Sequence, residues 1–174
     1  MKKEALEVLM NRRSVRKFKP EQITDEELKI VLEAGTYGPT ARNRQRPFIV
    51  AVQDKATRDK IAKMNAAVMG SENDPFYGAP TVLVVLADPA VRTYVYDGAL
   101  VMGNLMNAAH AVGVDSCYIF RAREVFATDE GKEMLRAWGI PDHYEGIGNC
   151  ILGYRDEGGV KEASPRKENY IVKV

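Results

Sequence analysis

Two short runs of polar residues carry the chemistry in this chain. Arg12-Arg13-Ser14-Val15-Arg16 gathers three guanidiniums and a hydroxyl into five residues. Arginine suits the grip of a phosphomonoester, because its planar, permanently charged fork meets phosphate oxygens two at a time. Pro39-Thr40-Ala41-Arg42-Asn43-Arg44-Gln45 offers a hydroxyl followed by two carboxamides spaced i, i+2, which an extended segment presents on one side. Carboxamides donate and accept, so they match a heterocycle whose edge alternates carbonyls and ring nitrogens. Read singly, each run has an ordinary alternative. A basic pentapeptide is commonly a solvated surface, and Asn and Gln beside a proline are commonly turn residues.

Taken together, a phosphate grip and a polar-edged ring site describe flavin mononucleotide (FMN). In this the chain resembles the FMN-dependent nitroreductase family. The resemblance rests on Arg12-Arg13-Ser14-Val15-Arg16, on Asn43-Arg44-Gln45 about 30 residues later, and on Pro165-Arg166-Lys167 near the carboxyl end. It runs over essentially the whole chain. It implies that Arg12, Arg13, Ser14, Arg16, Arg166 and Lys167 hold the phosphate, and that Thr40, Asn43 and Gln45 contact the flavin ring from the opposite subunit. It also implies that Ser116–Arg121 faces the reactive edge of the flavin, with Tyr118, Ile119 and Phe120 among the contacts and a backbone N–H around Phe120 near flavin N5. The chain departs from the family pattern twice. Arg46-Pro47 stands where Pro-Trp is usual, and Phe120-Arg121 stands where many relatives have Glu-Gly.

The expected activity is that of an FMN-dependent oxidoreductase. NADH or NADPH would give hydride to the flavin, and a nitroaromatic, quinone or similar acceptor would then be reduced. A dehalogenating, flavin-fragmenting or azoline-oxidising relative, or a non-catalytic flavin protein, are the alternatives, since one fold hosts several chemistries. Arg42, Arg44 and Arg46 either attract an anionic nicotinamide cofactor or form a solvated face. The expected assembly is a homodimer with shared flavin sites, in which the last residues, Asn169–Val174, reach the partner's sheet.

Composition narrows the field further. With 25 basic and 24 acidic residues in 174, the chain lacks the basic excess of a nucleic-acid surface. Its length suits one domain, residues 1–174. No secretion signal opens the sequence, and the most apolar stretch, Val95 to Val114, is broken by Asp97, Asn104, Asn107 and His110, so no membrane span is expected. Cys117 and Cys150 read as buried free thiols of a cytoplasmic protein. With His110 and His143 as the two histidines, no metal site is expected.

The elements that must position these residues follow from pattern. A short helix over Lys2 to Asn11 precedes the basic run. Thr24-Asp25-Glu26-Glu27 is a capping box opening a helix to about Thr36, and Tyr37-Gly38-Pro39 stops it. A strand near Phe48–Val52, a helix over roughly Ala56–Met69 and a buried strand at Thr81–Ala87 come next. The longest helix, about Val91 to Val112, is apolar nearly all round and calls for a large core or a partner. Strands near Ser116–Phe120 and Ile147–Tyr154 flank a helix near Asp129–Trp138. Gly146-Ile147-Gly148 lacks the third glycine and the following helix of a dinucleotide fingerprint, so it reads as a strand under close backbone approach. The sum is an α+β fold, a mixed and mainly antiparallel sheet flanked by helices.

Overall fold

The computed structural model describes residues 4–174. Its frame is an antiparallel four-stranded sheet built from β1 (Phe48–Val52), β2 (Thr81–Ala87), β3 (Asp115–Ile119) and β4 (Glu145–Gly153), in the order β1-β2-β4-β3. The expected mixed character survives in one place, a parallel bridge between Ser14 and Ser116 beside β3. Every residue of β2 is buried, because side chains alternate between faces and both faces are covered.

Val82, Val84, Leu86, Cys117, Ile119 and Ile151 enter the core on one face, Leu83, Val85, Ala87, Cys150 and Leu152 the core on the other. The first core is closed by α3 (Lys55–Met69), α5 (Ala122–Ala127) and α6 (Asp129–Ala137), through residues such as Ile61, Phe126 and Leu135. The second is closed by α2 (Asp25–Thr36) and α4 (Tyr94–Val112), through Val31, Val101, Met102 and Leu105. Each large side chain buried this way contributes roughly 1.5–3 kcal/mol, so the two-sided sheet is the main source of stability. Cys117 and Cys150 are buried free thiols on opposite faces, out of reach of each other as a disulfide.

Local signals set the boundaries. Thr24 and Glu27 cap α2 reciprocally, Glu27 N–H to Thr24 Oγ1 at 3.2 Å and Thr24 N–H to Glu27 Oε2 at 2.8 Å. Gly113, at φ 90°, ends α4 in the left-handed region. Helix α4 starts three residues later than its apolar pattern indicates, because Val91 and Thr93 form turns that lead into it. Helix α1 spans Ala5–Asn11, and Lys2 and Lys3, which the pattern includes in it, lie outside the described residues.

Two close contacts constrain the inner strands and the segments around them. Gly148 faces the Tyr118 ring so closely that a Cβ there would lie 2.6 Å from Tyr118 Cζ, and the Tyr118 hydroxyl donates to the Ile147 carbonyl at 2.6 Å. Beyond β2, the buried Asp88 carboxylate accepts from Arg46 Nη1 at 2.7 Å and from the Ala90 N–H at 2.9 Å, with His143 Nε2 3.6 Å away. It thereby ties the segment before β1 to the segment before β4. The Ala90 N–H holds the Asp88 carboxyl below its ordinary value, against burial and with help from Arg46.

Gly148→Ala should therefore lower stability by about 1–3 kcal/mol, the usual cost of overpacking, read as a lower midpoint in urea. Asp88→Asn should also destabilise at neutral pH. Because the folded carboxyl is depressed, its contribution is complete above the unfolded value near 4 and is lost as pH falls through the folded one. Denaturation curves of the two proteins should accordingly draw together as pH falls from about 4 towards the depressed folded value.

Candidate functional site

The basic run occupies the edge of the sheet beyond β3. Val15 N–H donates to Ser116 O at 3.0 Å and Arg16 N–H to Gly159 O at 2.8 Å, while Val15 bridges Val160 and Phe18 bridges Arg155. Residues 14–18 are thus laced between β3 and the segment after β4. Val15 and Phe18 anchor the lacing in the core; Arg12 and Ser14 are half-buried and Arg16 is exposed.

The three guanidiniums have different surroundings. Arg13 Nη1 donates to Met10 O and Arg12 O, each at 2.8 Å, and so closes the end of α1. Arg12 Nη1 is buried with no hydrogen-bond partner in the chain, and so is the Ser116 hydroxyl. Burial drives the Cys150 thiol pKa up, and the charge of Arg12 partly opposes this. A buried guanidinium N–H without an acceptor costs more than a neutral one, and an anion is what would satisfy it. Arg166 and Lys167 make local contacts: Arg166 Nη2 donates to Ser164 O at 2.9 Å, and Lys167 Nζ lies 5.7 Å from the Tyr170 ring centroid. Within one chain the structure does not pair them with the basic run.

The Thr40–Gln45 loop is wound more tightly than an extended reading implies. Ala41–Asn43 forms a 3-10 turn, and Arg42, Asn43 and Gln45 have φ of 55°, 52° and 49°. Three non-glycine residues in the left-handed region within four positions is strain held in place by its surroundings. The holders are identifiable. Buried Asp97 of α4 accepts from the Ala41 N–H at 3.2 Å and from Thr93 Oγ1 at 3.2 Å; Thr40 Oγ1 accepts from the Gln45 N–H at 3.0 Å, and Asn43 Oδ1 from Gln45 Nε2 at 2.9 Å. Asp97 was legible in the sequence only as an interruption of an apolar helix. Thr40 and Gln45 also line a cleft of about 360 Å³ with Leu32, Pro47, Phe48 and Val101, polar on the loop side and apolar elsewhere.

At the end of β3 the three candidates separate. The Tyr118 side chain packs into the core beneath α4 and Ile119 into the core beneath α3, while Phe120 is 64 % exposed. Ile119 is buried and Tyr118 half-buried, which leaves the Phe120 side chain the most open of the three. Buried Asn65 of α3 contacts this segment through Phe120 O and Arg121 Nε, a link that sequence spacing could not reveal across 55 residues.

Comparison with known proteins follows the same geometry. The model of the nitroreductase family matches residues 9–75, which include the basic run and the strained loop. A protein of Archaeoglobus fulgidus, provisionally named an NADH dehydrogenase/NAD(P)H nitroreductase, is 31 % identical over 170 residues, 94 % of this chain and 92 % of its own length. Among solved structures, a nitroreductase of Bacteroides fragilis with bound FMN superposes with a TM-score of 0.90 at 26 % identity, over 99 % of each chain. A nitroreductase of Desulfitobacterium hafniense DCB-2, also with bound FMN, superposes with a TM-score of 0.87 at 26 % identity over the full length of both. With sequence and fold matched from end to end, the chain belongs to the nitroreductase family.

Proposed function

We propose that this protein is an FMN-dependent oxidoreductase that draws electrons from NADH or NADPH and delivers them to nitroaromatics, quinones or similar acceptors. The observation that carries the reading is the buried, unpartnered Arg12 Nη1 in a motif shared with a family whose matched structures hold FMN. A phosphate oxygen is the acceptor that this N–H lacks. Arg12, Ser14 and Arg16 would hold the phosphate, with Arg13 contributing the donors it does not spend on α1. Thr40, Asn43 and Gln45 would meet the polar edge of the ring. When bound, FMN supplies the redox chemistry, taking hydride from the nicotinamide and passing electrons to the acceptor. The chain's own part is to bind, orient and shield.

The site is completed by a second copy of the chain. Leu6, Leu9 and Met10 of α1 and Tyr96 and Leu100 of α4 are exposed, and an apolar face of this kind marks an interface. Tyr170, Ile171 and Val172 are exposed on the tail as well, and β1 is an edge strand open to augmentation. A homodimer covers these faces and brings Arg166 and Lys167 of one copy towards the basic run of the other. Among the described residues no helix is long and apolar enough to cross a membrane.

The absorption spectrum of the purified protein, followed by anaerobic addition of NADH and then NADPH, tests the reading. Flavin bands that bleach support it; absence of flavin uptake even with added FMN overturns it. Arg12→Ala should weaken FMN affinity by about 10- to 100-fold, the worth of a charge-assisted hydrogen bond, and Arg166→Ala should weaken it in the same direction, both by fluorescence titration. Leu100→Glu should yield monomers by light scattering that retain less flavin. A flavin-loaded monomer would refute the shared site.

A further inference from the structure

Between β3 and α5 the backbone makes one turn that its sequence does not favour. Arg121 has φ 73° and ψ 10°, the left-handed region that glycine enters freely and that Cβ-bearing residues resist. Asn65 is the group that accompanies it. Its carboxamide is 0 % exposed and is used at both ends, Nδ2 donating to Phe120 O at 2.8 Å and Oδ1 accepting from Arg121 Nε at 3.0 Å. One side chain of α3 thus grips both the carbonyl of the Phe120–Arg121 peptide and the side chain that follows it.

The direction of that peptide has a consequence. The chain contains no cis peptide bonds among the described residues, and in a trans peptide the carbonyl and the N–H point in opposite senses. With the Phe120 carbonyl drawn towards α3, the Arg121 N–H is aimed away from α3 and out of the core. The exposed Phe120 side chain marks the same boundary between core and open surface.

We propose that Asn65 is a positioning residue, which by fixing the Phe120–Arg121 peptide aims the Arg121 backbone N–H at the flavin and sets its reduction potential. This rests on the FMN reading above. A donor held at the N5 edge is matched by the oxidised ring, whose N5 accepts, and opposed by the two-electron-reduced ring, whose N5 carries the transferred hydrogen, so it favours the oxidised form. Arginine is tolerated at a left-handed position because Asn65 binds its side chain and its preceding carbonyl together. Neither residue need touch substrate for this effect.

The test is the two-electron midpoint potential of the FMN-loaded protein, by dye equilibration, in wild type, Asn65→Asp, Asn65→Leu and Asn65→Leu/Arg121→Gly. Asn65→Asp keeps the acceptor for Arg121 but turns the donor to Phe120 O into a repelling oxygen; Asn65→Leu removes both. Each should lose about tenfold in preference for oxidised over reduced flavin, a potential higher by about 30 mV. Glycine at 121 takes up the left-handed turn unaided, so the double variant should recover part of that loss, which a packing defect at Asn65 would not allow. Potentials equal to wild type in flavin-loaded Asn65→Asp and Asn65→Leu overturn the proposal. Urea denaturation of the apoproteins serves as the folding control: if neither single variant folds, Asn65 is a core-stability residue and the proposal also falls. Failure of the wild type to take up FMN would instead refute the underlying reading of the site.

Discussion

The two-sided burial of β2 and β4 is the constraint on which the rest depends. Both strands are buried almost throughout, so helices must cover both faces and nothing polar can work in the middle of the sheet without a partner. Chemistry is displaced to the periphery, to the edge beyond β3 and to the loops at the strand ends. The candidate phosphate grip and the strained ring loop occupy those places. Their precision comes from being tied back into the core, the basic run by Val15 and Phe18, the loop by Asp97, and the turn after β3 by Asn65.

The three ties share a physical logic. Each is a buried anchor that holds an otherwise unfavourable or mobile backbone, and the polar ones are charged or carboxamide groups with more than one hydrogen bond. Three left-handed residues in the Thr40–Gln45 loop and one at Arg121 are conformations that a free peptide would abandon. A loop already set in its working shape gives up less conformational entropy on binding a ligand than a slack one.

Much of this was legible in the sequence, for reasons that differ by element. The unbroken apolar run Thr81–Ala87 could only be a strand covered on both faces, and Thr24-Asp25-Glu26-Glu27 announced α2 by a reciprocal cap that the structure reproduces. Helix α5 escaped because six residues show too little periodicity to separate helix from loop. The 3-10 turn at Ala41–Asn43 escaped because it requires left-handed backbone at Arg42, which arginine does not advertise. Asp97 and Asn65 are half-hidden for a third reason: their partners lie 56 and 55 residues away, and single-sequence patterns report neighbours along a helix, not across a fold. The polar runs of the candidate site are visible in the sequence; the anchors that shape its loops are not.

The lacing of residues 14–18 between β3 and the segment after β4 also fixes an order of events during synthesis. Arg16 takes its backbone partner from Gly159, and Val15 its partners from Ser116 and Val160. The basic run leaves the ribosome before its docking partners, the last of which, Val160, follows Val15 by 145 residues. At ordinary elongation rates of about 5–20 residues per second, that is a wait of roughly 7–29 seconds for three closely spaced arginines. The nascent chain therefore exposes an uncommitted cationic stretch until Gly159 and Val160 have emerged.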